Sequence, residues 1–261
     1  MLGDLFLETR KRVSNFLFRR RLSKSPFYRA YPYTGKLSLA LANNRGVVDT
    51  GLRFFYNDMP KTGSSTVIAT LAKLKGYGDH LTRVEAKDLF KTPADLSPAE
   101  VKDIPRYYTF VFVRNPYSRV LSAYLDKVVG NRAYLTTRLR KTPLARAYRE
   151  RGTVPSFAEF LSYLEHGGLY ADGHWAPQTS LLLLPIALYD FIGKLKDIDD
   201  DLPEALSHIF PGAEVSEKDL RVYTPHSTNS NKIWEGYYTP ELRKVVQRLY
   251  PEDFEAFGYP S

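Results

Sequence analysis

The sequence predicts an α/β protein, a three-layer α/β/α domain around a central parallel sheet. Two strand–loop–helix units and one capped amphipathic helix near the C-terminus predict it. The balance of 43% hydrophobic and 25% charged residues over 261 positions fits a packed core rather than a disordered chain.

The elements follow in order. In residues 2–22, Leu2, Leu5, Phe6, Val13, Phe16 and Leu17 fall on roughly one helical face. Arg10, Lys11, Arg12, Arg19, Arg20 and Arg21 fill much of the remainder. Such a helix either lies on a membrane or anionic partner or packs on its own domain. The second reading is preferred, because amphipathic helices ordinarily serve their own core. Residues 1–52 are therefore expected to pack on a domain formed by residues 53–261. Within it, Arg53 to Asn57 reads as a strand, Asp58 to Gly63 as a loop and Ser64 to Leu74 as a helix. The spacing of Val67, Ile68, Leu71 and Leu74 is helical. Tyr107 to Val113, β-branched and aromatic, is the second strand. Pro116 suits the first turn of a helix over Tyr117 to Val129. Residues 131–151 carry Arg132, Arg138, Arg140, Lys141, Arg146, Arg149 and Arg151 against the single acid Glu150. Tyr189 to Ile192 reads as a third strand, and Asp199-Asp200-Asp201 precedes a short helix. Thr239 caps the last helix, which has its stripe at Leu242, Val245, Val246 and Leu249.

A net charge of +8 favours anionic partners without choosing among them. The absence of cysteine excludes disulfides, thiolate metal sites and a cysteine nucleophile, and fits a reducing compartment. No apolar run approaches the roughly 18–20 residues that span a bilayer. Met1 to Leu7 is too short and too acidic for a secretory signal. The expectation is a cytoplasmic protein, with peripheral membrane contact through residues 2–22 left open.

Two strand-to-helix corners carry chemistry. The first is Pro60-Lys61-Thr62-Gly63-Ser64-Ser65-Thr66. A loop that opens a helix presents unpaired N–H groups, and the helix dipole favours an anion there. Gly63 permits close approach, Thr62, Ser64, Ser65 and Thr66 add hydroxyls, and Lys61 adds a charge. The lysine precedes the glycine, so the GxxxxGK[ST] pattern is absent. A polar cap with a solvated lysine is the plainer reading, and the density of donors favours phosphate. The second corner is Arg114-Asn115-Pro116-Tyr117-Ser118-Arg119-Val120-Leu121-Ser122. Arginine suits bidentate capture of phosphate, although a lone arginine at a strand end is more often a structural ion pair. Two corners together suggest a ligand with anionic groups at both ends. Spacing alone does not show that both serve one molecule.

At these residues the chain resembles the sulfotransferases that use 3′-phosphoadenosine 5′-phosphosulfate (PAPS). It is most similar to the carbohydrate sulfotransferases of the chondroitin, dermatan and uronyl 2-O type, a membrane-associated family. Pro60 to Ser65 resembles their 5′-phosphosulfate loop, and Val113 to Tyr124 their 3′-phosphate element, with Arg114 and Ser122 in the phosphate-binding places. Asp172-Gly173-His174-Trp175, Tyr189 to Lys194 and the ending from Leu249 to Tyr259 are also similar. The resemblance runs, with gaps, from about Arg53 to Tyr259. Relatives usually carry cysteines where Leu181 to Leu184 stand here. The resemblance implies a P-loop-like sulfotransferase fold and PAPS as donor, with no metal required. The expected acceptor is a hydroxyl of a carbohydrate or of another molecule, either anionic or neutral.

It further implies Lys61 for charge stabilisation near the bridging oxygen and Thr62 to Thr66 for the 5′ phosphate. Lys232, in a polar loop, either closes over the nucleotide or is solvated. For the general base, His174 comes first, as a histidine beside Asp172, against the alternative of a buried histidine bonded to backbone. His80 is second and Glu85 third. A metal site at His166, Asp172 and His174 is disfavoured for want of a further nitrogen or sulfur ligand. The basic segment 131–151 is either a cradle for an anionic acceptor or a solvated, mobile excursion. The rival functions are a P-loop kinase or nucleotidase, a basic nucleic-acid-binding protein, and a sulfotransferase fold that binds without turnover. The kinase would need ATP, magnesium and a carboxylate at a strand end. Nucleic acid is not expected as a partner, because no nucleic-acid-binding pattern accompanies the charge.

Overall fold

The computed structural model describes residues 21–78, 80–213 and 230–261, the side chains of residues 231 and 232 excepted. Most of the predicted basic helix, residues 2–20, lies outside the described residues. Short helices α1 (Pro26–Ala30) and α2 (Leu39–Asn43) lead into β1 (Gly46–Asp49) and β2 (Phe54–Asn57). Helices α3 (Ser64–Ala72), α4 (Arg83–Asp88) and α5 (Pro98–Asp103) follow, and then β3 (Tyr108–Val113). Helices α6 (Pro116–Tyr124), α7 (Arg132–Thr137), α8 (Pro143–Arg151) and α9 (Phe157–Tyr163) separate β3 from β4 (Phe191–Lys194). After β4 come α10 (Ile198–Ile209), α11 (Ser230–Ile233), α12 (Pro240–Leu249) and α13 (Pro251–Ala256).

Among the described residues the sheet has the order β1-β2-β3-β4. β2, β3 and β4 are parallel, as predicted, but β1 pairs antiparallel with β2. The central sheet is therefore mixed, and it begins before residue 53. A four-residue strand gives no periodic signal, and the turn after it depends on one side chain. Asp49 Oδ1 accepts from the N–H groups of Gly51 and Leu52, both at 2.9 Å, an Asx-type turn.

Alternation along the strands sorts the core into two faces. Phe54, Tyr56, Phe110 and Phe112 pack against Val67, Ile68 and Leu71 of α3 and Leu202 and Leu206 of α10. Phe55, Val111 and Val113 face the other way, onto Phe27 and Tyr28 of α1 and onto Leu181, Leu183 and Leu184. The leucines that stand where relatives carry cysteines are thus buried under the sheet. A third cluster gathers Tyr117 and Leu121 of α6, Phe160 of α9, Trp175 and Val246 of α12. Leu135, Leu139 and Leu144 of the basic segment are buried in it as well, so residues 131–151 are a packed pair of helices and not a mobile excursion.

Both predicted helices after the corners reach their expected ends, though not as regular α-helix throughout. The hydrogen-bond ladder of α3 ends over Lys73–Tyr77, where Gly76 takes φ 95° and leaves helical geometry. That of α6 widens at Leu125–Val129, where Gly130 N–H bonds to Leu125 O at 2.8 Å. A wide turn of this kind is frequent at functional sites, and Asp126 lies in it.

Candidate functional site

The first corner leaves β2 through Asp58, Met59 and Pro60. Lys61 is held at φ 71°, a left-handed conformation that costs a non-glycine residue energy, and Gly63 follows at φ 81° as the N-cap of α3. A side chain at Gly63 would meet Leu195 and Ile198 at under 3 Å. Two left-handed residues turn the chain sharply into α3, whose first-turn N–H groups are where a helix favours an anion, although Thr66 N–H already bonds to Gly63 O at 2.9 Å. Thr62 is buried, and its hydroxyl donates to Met59 O at 2.8 Å, so it shapes the loop from within. Ser64 is buried, while Ser65 and Thr66 are half-buried at the helix start.

Arg114 stands one residue beyond β3 and is buried. Its Nε donates to Ser118 Oγ at 3.1 Å, its Nη1 to Lys61 O at 3.0 Å and its Nη2 to Ser230 Oγ at 2.7 Å. Burial, with Arg119 nearby, presses its pKa down to about 9, so an anion at this guanidinium would be strongly favoured. Ser122 is buried one turn beyond Ser118 on the same helix. The backbone amide of Arg114 is also clamped. Its N–H donates to Gln178 Oε1 and its carbonyl accepts from Gln178 Nε2, both at 2.9 Å.

The two corners therefore meet. Arg114 grips the carbonyl of Lys61, and Lys61 Nζ lies 2.9 Å from Asp126 Oδ2, just past the helix that carries Ser122. Burial lowers the Lys61 pKa, and Asp126 opposes that shift. The same carboxylate oxygen takes Lys127 Nζ at 3.2 Å, and Lys127 in turn lies over the Tyr134 ring, 5.3 Å from its centroid. Tyr134 donates to Asp172 Oδ2, and Asp172 Oδ1 sits 2.6 Å from His174 Nδ1. A continuous chain of contacts thus joins Lys61 to His174.

His174 is about a quarter exposed, and among the described residues its Nε2 makes no hydrogen bond. Burial lowers its pKa below the ordinary 6.5, against the pull of Asp172. Burial would raise the Asp172 pKa, but hydrogen bonds from His174 and Tyr134 hold it far below the usual carboxylate range. The pair is a neutral imidazole with a defined Nδ1–H and an open Nε2. The structure does not bring the other candidates here. His80 is exposed and lies beside Gly78. Glu85 closes a capping box with Thr82 at the start of α4. His166 Nδ1 sits 2.7 Å from Ser162 O, apart from the Asp172–His174 pair. Lys232 is on α11, whose Ser230 touches Arg114, but its side chain lies outside the described residues.

Sequence reasoning assigned no role to Arg119, which the structure makes the staple of the site. It is fully buried and donates to Pro60 O at 3.1 Å, Gly173 O at 3.0 Å and Ala176 O at 2.7 Å. One side chain from the second corner thereby ties the first loop to the His174 segment. Asp126 and Tyr134 were also missed. Asp126 lies four residues after Ser122, a helical neighbour spacing that could have found it. Nothing in the sequence marks Tyr134.

Comparison with known proteins agrees with this geometry. The chain is 29% identical over 227 residues to Carbohydrate sulfotransferase 14 of Mus musculus, covering 82% of this chain and 60% of that protein. It is 30% identical over 240 residues to Carbohydrate sulfotransferase 8 of Mus musculus, covering 83% and 55%. With Carbohydrate sulfotransferase 12 of Xenopus laevis it shares 30% identity over 183 residues, 60% of this chain and 41% of that one. The chain thus spans only about 60% or less of the length of these relatives. No solved structure matches it. A sequence model of the Sulfotransferase family matches residues 44–260, through both corners and the His174 segment, and the chain belongs to that family.

Proposed function

We propose that this protein transfers a sulfonate group from PAPS to a hydroxyl of a carbohydrate. The observation that carries this reading is the Arg114–Lys61 contact, which makes two phosphate-type corners one site. The residues present fit a donor with anionic groups at both ends. The first turn of α3 with Lys61 suits the 5′ end, and Arg114 with Ser122 suits the 3′ phosphate.

The donor supplies an activated sulfonate and a phosphate leaving group. The remaining work falls to the chain. Lys61 sets a cation where negative charge grows on the leaving oxygen, in a half-buried setting that water screens poorly. His174 Nε2 takes the acceptor hydroxyl proton as that oxygen bonds to sulfur and the bond from sulfur to the bridging oxygen breaks. Asp172 holds the imidazole with Nδ1 protonated, so that Nε2 carries the lone pair. The kinase reading has no comparable support from the matched family. Lacking cysteine, the chain suits the reducing cytoplasm.

Isothermal titration with 3′,5′-adenosine bisphosphate, beside ADP and ATP without metal, tests the reading. The bisphosphate is expected to bind in the micromolar range and far more tightly than ADP. Arg114→Ala and Lys61→Ala should each weaken it by about 10- to 100-fold, the scale of a charge-assisted hydrogen bond. Preference for ATP with magnesium would overturn the donor assignment.

A further inference from the structure

Asp58 follows directly after β2, two residues before Pro60, and is fully buried. Its Oδ2 receives Arg83 Nη2 at 2.7 Å, Arg45 Nη1 at 3.8 Å and the Lys87 ammonium. Among the described residues no other carboxylate pairs with these three cations, so the cluster holds two positive charges in excess. Burial would raise the Asp58 pKa, and the cations override it and keep the carboxylate ionised. An ion cluster that only pinned α4 to the sheet would need one cation, because further ones add repulsion and desolvation cost.

The surplus has a direction. Lys87 is spent inward, on Asp58 and on Asn44 O. Arg83 is about a third exposed and uses only Nη2, which touches both Asp58 and, at 3.4 Å, Ser64 Oγ in the first corner. Among the described residues Arg45 Nε, the Tyr56 hydroxyl and Asp58 Oδ1 are buried without a hydrogen-bond partner, and all lie in this cluster, since Tyr56 feels the charges of Asp58, Arg83 and Arg45. Arg45 Nη2 reaches to 3.6 Å from where a Gly173 side chain would begin, next to His174. The arginines thus stand between the loop assigned to the donor's 5′ end and the proposed base. That is where an acceptor hydroxyl has to be presented.

We propose that Arg45 and Arg83 form an acceptor subsite for an anionic group, a carboxylate or sulfate carried by the sugar beside the hydroxyl that is modified. This rests on the sulfonate-transfer reading and names its acceptor class. The donor's own charges are matched elsewhere, by Lys61, Arg114 and the start of α3. The guanidinium fork suits both oxyanions, and Arg83, about a third exposed, holds Asp58 through Nη2 alone among the described residues.

The test is isothermal titration of the full chain, saturated with 3′,5′-adenosine bisphosphate, with three hexasaccharides of one backbone. These are unsulfated chondroitin, its carboxyl-reduced neutral form, and the carboxyl-reduced form bearing sulfate esters. One anionic form is expected to bind at least tenfold more tightly than the neutral one, and which one does so identifies the group. Arg83→Gln and Arg45→Gln should each erase about tenfold of that preference, the scale of one charge-assisted hydrogen bond, with bisphosphate affinity unchanged within twofold. Arg83→Lys, which keeps a charge on Asp58, guards against a folding defect and should retain only part of the preference. Equal binding of charged and neutral forms, binding of none, or an equal loss of bisphosphate affinity in Arg83→Gln would overturn the subsite. If the wild type fails to bind bisphosphate, the donor reading falls. The same oligosaccharide titration without nucleotide then still decides the subsite.

Discussion

His174 shows how burial and one partner set a residue's chemistry. Its pKa is depressed, so the folded protein holds it neutral where the unfolded chain begins to protonate it. The unfolded state then binds more protons, and the stability tied to this group is present above about 6.5 and lost as pH falls toward the folded value. Activity should follow the same group. The acid limb of the kcat/KM profile is expected below pH 6.5, and Asp172→Asn should lower kcat by about 10²- to 10⁴-fold with donor KM unchanged. A profile unaltered by that substitution would remove His174 from the base role. Arg119 makes a second point at this scale. A fully buried guanidinium is tolerable because three carbonyls receive it. Arg119→Met should cost about 2–5 kcal/mol of stability in urea unfolding, because it strands those carbonyls, and should weaken bisphosphate binding by loosening the Pro60 loop.

At the scale of elements, the site is made by how helices begin and where their ladders widen. α3 starts on Gly63 at φ 81°, with Leu195 and Ile198 pressed against it. Gly63→Ala combines left-handed strain with a clash and should cost about 1–3 kcal/mol, with a matching drop in bisphosphate affinity. Unchanged melting and binding would show that the turn is not what aims the α3 amides. The widened turn after α6 matters in the same way. Asp126 lies in it, and its carboxylate takes Lys61 Nζ at 2.9 Å. Helix starts were the legible part. Thr239 caps α12 through Leu242 N–H, and Pro240 opens it, as the composition of that stretch required. A widened turn carries no such signature, so the stretch from Tyr117 to Val129 was read as one regular helix.

Across the whole molecule, distant segments converge because a few buried polar side chains bind them. Asp253 of α13 accepts from the N–H groups of Gln178 and Thr179, at 2.8 and 2.9 Å, and Gln178 clamps Arg114. Asn57 Oδ1 at the end of β2 takes the Tyr189 hydroxyl at 2.6 Å and Leu183 N–H at 2.9 Å, which seats the 181–184 segment under the sheet. The sequence by itself determined the parallel β2-β3-β4 unit, the two corners and the family, because strand composition, helix starts and phosphate-type donors are encoded within a dozen residues. It also named Lys61, Arg114 and His174 as candidates. Only the tertiary structure brought the two corners into contact, through Arg114 and the Lys61 carbonyl, and tied the Pro60 loop to the His174 segment through Arg119. The Glu85 cap on Thr82 follows a local pattern that the sequence carries, whereas the tertiary structure alone left His80 exposed and gathered Arg45, Arg83 and Lys87 on Asp58. Those outcomes depend on contacts between residues far apart in the chain, and no local propensity records which buried charge will meet which.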